Sequence, residues 1–304
     1  MELTIRGESF EEEVEECLYE EYSSARCDAL QMVLDDTGGR LRPLGLKKGE
    51  MIQAEELTQR TGAMYISKIG YMKDKIMIRA LSTDLTCFKE KNTYRESISF
   101  YEMVKEMEKE TGYKLNLVNK LDCMYIDITR NQLNPIKYLT RRLRLEGYQL
   151  RVYDNTLIVY DEKLQERKGA VEDYEEEDFL TDPEYSTADA HLIESVRNTY
   201  KYENYMIRTN VKSGLNGKNI DTSIAVTSIA ESERFSYGLM REANKYEFLA
   251  SGWVDGLERK TGESINLDTD KQDFSGKNYI YAIKHDFVRD RQEIMLRKSI
   301  AGDY

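Results

Sequence analysis

Chemistry needs particular side chains at particular spacings, and this chain supplies few of them. Its two histidines, His191 and His285, and its four cysteines, Cys17, Cys27, Cys87 and Cys123, are scattered over 304 residues. A structural zinc site needs four Cys or His ligands, usually paired at short spacing. No Cys-x-x-Cys pair occurs, so the sequence predicts no metal site and no cofactor. His285 follows Ile283-Lys284 in an apolar run and reads as a packed or edge-strand histidine. Asp268, Asp270 and Asp273 have the opening spacing of a calcium loop. The sixth position, though, is Asp273 where such a loop turns on glycine, and the twelfth is Tyr279 where it needs glutamate. Gly214-Leu215-Asn216-Gly217-Lys218 lacks the spacing of a phosphate-binding loop and reads as a turn. No Gly-x-Ser-x-Gly elbow is present. Carboxylate pairs such as Asp35-Asp36 are abundant, but a glycosidase needs two carboxylates across one cleft. No catalytic residue is therefore assigned. The main cationic cluster is Arg141, Arg142 and Arg144, with Arg130 nearby. It reads as a solvated helix face or as a docking surface for an acidic neighbour. Nucleic-acid binding ranks below both, because no aromatic platform accompanies the arginines.

The elements that would hold these residues fall into three stretches. Before residue 92 the pattern is of strands. Arg26 to Leu34 runs into the turn signal Asp35-Asp36-Thr37-Gly38-Gly39, and Met64–Ile69 and Lys75–Leu81 follow. In the last of these Ile76, Ile78 and Ala80 alternate with Lys75, Met77 and Arg79. From about 93 to 168 the period changes. Ser99 and Glu102 form a capping-box pair ahead of Phe100, Met103, Val104 and Met107, and Gly112 closes the helix. Asn134-Pro135 opens a second helix that ends at Gly147. Short strands are expected at 114–118 and 124–128, and a hairpin at 148–160 turning on Asp154-Asn155. Residues 169–190 carry the acidic run Glu172–Asp178, which reads as a linker or exposed arm. From 191 to 304 strands return at 195–200, 205–212, 220–229, 279–285 and 292–298. A helix over 232–246, capped by Ser232, interrupts them.

The first and last stretches echo each other. Gly49-Glu50-Met51-Ile52 matches Gly262-Glu263-Ser264-Ile265. Gly62-Ala63-Met64-Tyr65-Ile66 matches Gly276-Lys277-Asn278-Tyr279-Ile280. Ile76-Met77-Ile78-Arg79 matches Ile294-Met295-Leu296-Arg297. Three blocks in the same order point to a duplicated unit. A trimer of such chains would present six similar units in one ring.

Composition narrows the function classes. Hydrophobic residues make up 40% and charged residues 33%, a globular balance. A net charge of −12 disfavours generic nucleic-acid binding, which needs clustered Lys and Arg. No apolar run approaches a membrane span, and the acidic start lacks a signal-like apolar core. Synthesis in the cytoplasm is the expectation, with no membrane partner and no sequence-specific nucleic acid.

The stretch Ile98–Leu164 carries a resemblance. Its pieces are Ser99-Phe100-Tyr101-Glu102-Met103-Val104, Asn134-Pro135-Ile136-Lys137-Tyr138-Leu139, Leu145-Glu146-Gly147-Tyr148 and Leu157-Ile158-Val159-Tyr160-Asp161. Together with Phe274–Tyr279, His285 and Ile294–Arg297 it resembles the late control gene D family of phage tail proteins. These are baseplate hubs of contractile tails, related to the hub part of type VI secretion spikes. The resemblance implies an α+β, mainly β fold. Two related tube-like β-barrel domains (1–92 and 191–304) would flank a small α/β insert (93–168) and the acidic linker (169–190). It further implies a homotrimer, with a tail tube protein, a central spike protein, other baseplate proteins and a tape measure protein as neighbours. The location would be a virion tail baseplate or a released tail-like particle such as a bacteriocin. The family brings no catalytic residues. Two alternatives stay open on the sequence: a carboxylate-dependent cell-wall hydrolase of the tail tip, and a tail-tip adaptor of a non-contractile tail.

Overall fold

The structure, a computed structural model, describes residues 1–24 and 26–300. In chain order the first strands are β1 (Glu2–Ile5), β2 (Glu8–Ser9), β3 (Val14–Tyr22), β4 (Ala29–Asp35), β5 (Met51–Glu56), β6 (Gln59–Arg60), β7 (Met64–Tyr71) and β8 (Lys75–Leu81). They pair in the order β3-β4-β8-β7-β5-β1-β2, with β6 folded against β5. In β8 the alternation is as the sequence reads: Ile76, Ile78 and Ala80 are buried, and Met77 and Arg79 face outward. Their core includes Leu3, Tyr19, Leu30, Met32, Ile66 and Ile78.

The middle elements are β9 (Lys91–Ser99), α1 (Phe100–Thr111), β10 (Lys114–Leu117), β11 (Met124–Leu133), α2 (Pro135–Leu145), β12 (Tyr148–Tyr153), β13 (Thr156–Asp161) and α3 (Glu162–Glu166). The Ser99–Glu102 capping box forms in both directions and Gly112 ends α1, while the Asn134 side chain caps α2. Strand β9 pairs with β11, and β10, β13 and β12 form a small mixed sheet.

The remaining elements are β14 (Asp173–Glu175), β15 (Glu184–Thr187), β16 (Ile193–Tyr202), β17 (Tyr205–Lys212), β18 (Lys218–Thr222), α4 (Ile229–Asn244), β19 (Phe248–Asp255), β20 (Ser264–Asp268), β21 (Gly276–Asp286) and β22 (Arg291–Lys298). Strands β15-β19-β22-β21-β20-β14 form the second β unit. The acidic stretch belongs to it: Tyr174 pairs with Leu267 and is buried, as is Phe179. The residues between 169 and 190 thus contribute two strands, because apolar rings alternate with the acids.

Strands β16–β18 and α4 sit between β15 and β19 in the chain but pack elsewhere. Ile207, Val226 and Phe235 join the core of the middle elements beside Phe100, Leu139 and Leu143. Helix α4 crosses α2 at Gly238, where a Cβ would lie 2.4 Å from the Leu145 carbonyl oxygen. Its cap is Ser228, not Ser232; Ser232 is buried and bonds Asn198 and Thr209. The expected strand over 220–229 stops at Thr222, since Thr227 and Ser228 are used in the helix entry.

The two β units repeat at backbone level. Strands β3, β4, β8, β7 and β5 have the same chain order and the same sheet order as β15, β19, β22, β21 and β20. Met51 pairs with Tyr65, and Ser264 with Tyr279. Gly49 N donates to Ile66 O and Ile66 N to Glu50 O; Gly262 N donates to Ile280 O and Ile280 N to Glu263 O. Gly49 and Gly262 both hold left-handed backbone, φ 86° and 89°, which glycine adopts without strain. A bulge follows Ile66 in one unit and Ile280 in the other. The row Tyr19–Leu30–Ala80–Ile66 corresponds to Tyr185–Ala250–Leu296–Ile280. The first two matched blocks of sequence are therefore in structural register. The third is two residues out: Ile78, not Ile76, corresponds to Ile294. The fold is mainly β, with two related tube-like units, and they are fused: β21 pairs with β3 through Ala282–Asp286 against Tyr22–Leu18.

Candidate functional site

Two groups of residues stand out in this fold: those that tie the units together and those that leave sheet edges free. The first group is a buried ionic cluster. Glu162 and Glu166 of α3 face Arg241 of α4, Lys245 just past its C-terminal end and Arg297 of β22. Lys245 Nζ lies 3.2 Å and Arg297 Nη2 3.1 Å from Glu162 Oε1. Arg241 Nη2 donates to Glu166 Oε1 at 2.6 Å, and Arg297 reaches the same oxygen. The other Glu166 oxygen accepts from Ile300 N at 3.0 Å. Burial alone would raise the Glu162 pKa, but Lys245, Arg297 and Arg241 outweigh it and hold it at about 2. The cluster ties the insert, α4 and the last strand together. Its five members lie within 4% exposure, so the sequence habit of reading Glu and Arg as surface conceals it.

A second cluster joins the two β units to the insert. Arg151 of β12 reaches Glu21 at 2.7 Å and Asp28 at 3.2 Å. Thr261 donates to Glu21 Oε1 at 2.7 Å, and His285 Nε2 sits 3.1 Å from Oε2. Asp28 accepts from Tyr19 Oη and Tyr22 N, each at 2.9 Å. Burial pushes both carboxyls up. Arg151 and His285 reverse this for Glu21, to about 2; Asp28, with Glu21 beside it, ends raised at about 6. A cleft of about 260 Å³ opens nearby, lined by Tyr19, Glu21, Gln59, Arg60, Arg151 and Lys260 among others. The carboxylate oxygens beside it are engaged by partners of the chain itself, an arrangement suited to fixing geometry rather than to proton transfer. His285 is the packed histidine that its position suggests, stacked 5.5 Å from Tyr19.

The predicted arginines separate. Arg142 lies over the rings of Tyr125 and Phe235, and Arg144 Nε is 3.2 Å from Glu242. Of the three, only Arg141 is exposed. Arg130 is buried and clamps Glu110 with both terminal guanidinium nitrogens. Asp268, Asp270 and Asp273 are exposed, and no group of three metal-ligating side chains occurs among the described residues. Gly217 packs on the Leu192 carbonyl in a turn between β17 and β18.

The second group is the free edges. Among the described residues, strand β15 pairs with β19 on one side only. On its β5 side, β7 is paired at Met64 and Tyr65 and carries no strand over Lys68–Tyr71 among the described residues. Such edges are templates for another chain.

No family model matches the chain, and no curated protein matches it in sequence. Solved structures do match in fold. A tail protein from Neisseria meningitidis is 11% identical at a TM-score of 0.77, over 99% of this chain and 98% of that one. The 43 kDa tail protein of prophage MuSo2 from Shewanella oneidensis gives 11% identity and 0.77, over 99% of both chains. An Escherichia coli component of the type VI secretion system, described as similar to T4 bacteriophage tail proteins gp27 and gp5, gives 14% and 0.61, over 100% of this chain and 79% of that one. The fold is that of phage tail proteins.

Proposed function

We propose that this chain is a structural baseplate hub of a contractile phage tail or tail-like particle. Three copies form a ring of six β units, the repeated parts being β3–β8 in the first unit and β15 with β19–β22 in the second. One face meets a hexameric tail tube and the other a trimeric spike. The observation that carries this reading is the internal repeat. One chain holds two copies of a unit, in the same strand order and register, so three-fold and six-fold symmetry coexist in the assembled ring. The tail-protein fold supports the same role. Other baseplate proteins and a tape measure protein are further neighbours, and Arg141 is the surviving candidate from the arginine cluster for an acidic partner. The role is structural rather than enzymatic. The carboxylates of the two clusters are engaged as ties between elements, which supports this reading over the hydrolase alternative.

Disruption of the gene in a particle-producing strain tests the role. Tubes without complete baseplates are expected. Normal, complete particles lacking this chain would overturn it. A sheath gene product in the same particle separates a contractile tail from a non-contractile one.

A further inference from the structure

The fused sheet contains one joint between units, and the repeat implies a second. Within the chain, β3 of the first unit adds to the outer half of β21 in the second. Tyr19 opposes His285, Glu20 opposes Lys284 and Glu21 opposes Ile283. The counterpart of β21 is β7, and the counterpart of β3 is β15. Neither is used this way: Lys68–Tyr71 of β7 and the outer side of β15 pair with nothing among the described residues. They cannot meet within one chain, because β15 and β7 are seven strand steps apart in the sheet order, roughly 34 Å along it.

Resting on the hub reading, we propose that β15 of one copy adds antiparallel to Lys68–Tyr71 of β7 in the next copy, in the register of the β3·β21 joint. The repeat then aligns Tyr185 with Tyr71, Ser186 with Gly70 and Thr187 with Ile69. Exposure supports this. Ile283 and His285, covered by β3, are 1% and 0% exposed, whereas Tyr71 is 57% exposed. Tyr71 is cross-strand from the buried Ile76 and shares its face, so it lies on a core-facing row that lacks its cover. The Tyr19–His285 stack has Tyr185 and Tyr71 as its counterpart. Glu184 arrives opposite Met72, beside the exposed Lys73. Each copy gives one edge and receives another, a heterologous contact that closes only as a ring.

The test is a disulfide between copies. Ser23 N donates to Tyr281 O, and Glu20 and Lys284, three pairs further along, are therefore a non-hydrogen-bonded pair; Ser186 and Gly70 inherit that geometry, with Cα atoms about 4.5 Å apart. Ser186 is exposed, and a Cβ on Gly70 meets only Met77 at 3.6 Å. The full chain carrying Gly70→Cys and Ser186→Cys is oxidised at assembling concentration and run without reductant. Gly70→Cys with Glu184→Cys, two residues off register, is the control, and light scattering of the unmodified chain reports assembly. The expected result is reducible two- and three-chain species, at least about tenfold more abundant for the in-register pair, since the diagonal pair is held about 7 Å or more apart. Ring assembly without that cross-link overturns the edge joint and leaves the hub reading standing. A chain that stays monomeric, alone and with tube protein, overturns both.

Discussion

Glu162 and Glu166 illustrate how much of this protein is decided by individual charges. Neither reads as a core residue, yet each is almost fully enclosed, Glu162 facing three cations and Glu166 two. Removing one partner from such a cluster strands the other charges in a low-dielectric interior. Arg297→Met is therefore expected to lower unfolding free energy by about 3–5 kcal/mol, measured by urea denaturation, while the exposed Arg141→Ala changes it by no more than about 0.5 kcal/mol. The pH dependence follows from the same groups. Glu21 and Glu162 are held at about 2 in the folded chain against an ordinary 4.5. Their contribution is complete above pH 4.5 and is lost as pH falls toward 2. Asp28 acts in the opposite sense: raised to about 6 from 3.8, it favours the folded chain as pH falls through that interval. With two groups against one, Tm should hold or rise slightly from pH 6 to 5 and then fall between 4.5 and 2. A Tm that falls equally steeply for Glu162→Gln would contradict the assignment. These residues were illegible beforehand because partners 75 to 135 positions away determine their burial.

At the scale of elements, local signals carried where they were self-contained. The starts of α1 and α2 are written in Ser99-x-x-Glu102 and Asn134-Pro135, and both caps form. The start of α4 was harder, since Ser228 and Ser232 both suit a cap; the hydrogen bonds of Asn198 and Thr209 claim Ser232 for the interior. Strand β3 was missed because its Glu15, Glu16, Glu20 and Glu21 hide the period of Cys17, Tyr19 and Glu21, which are the buried set. The acidic stretch misled for a similar reason. Its Glu176 is held at about 2 by hydrogen bonds from Thr269, Lys271 and Tyr185, all from neighbouring structure. The crossing of α2 and α4 is set by one small residue. Gly238→Ala should cost about 1–3 kcal/mol, because backbone carbonyls rather than a yielding side chain meet the new methyl. Thermal unfolding checks this, and an unchanged Tm would show that the helices separate freely.

For the molecule as a whole, the repeat was the most informative thing in the sequence. It was visible because glycine turns and Tyr-Ile strands survive in both copies, and two of its three blocks are in register. The fusion of the units through β3 and β21 was not visible, since pairing across 264 positions leaves no local mark. Nor was the lodging of β16–β18 and α4 against the insert. On the hub reading, one chain supplies two neighbouring units of a six-membered ring. A reconstruction of the assembled tail tip, at a resolution that traces strands, tests it most directly. Three copies and six β units around one axis are expected, with β3·β21 and β15·β7 joints alternating. Six copies, or a ring in which the second β unit lies outside the circle, would contradict it.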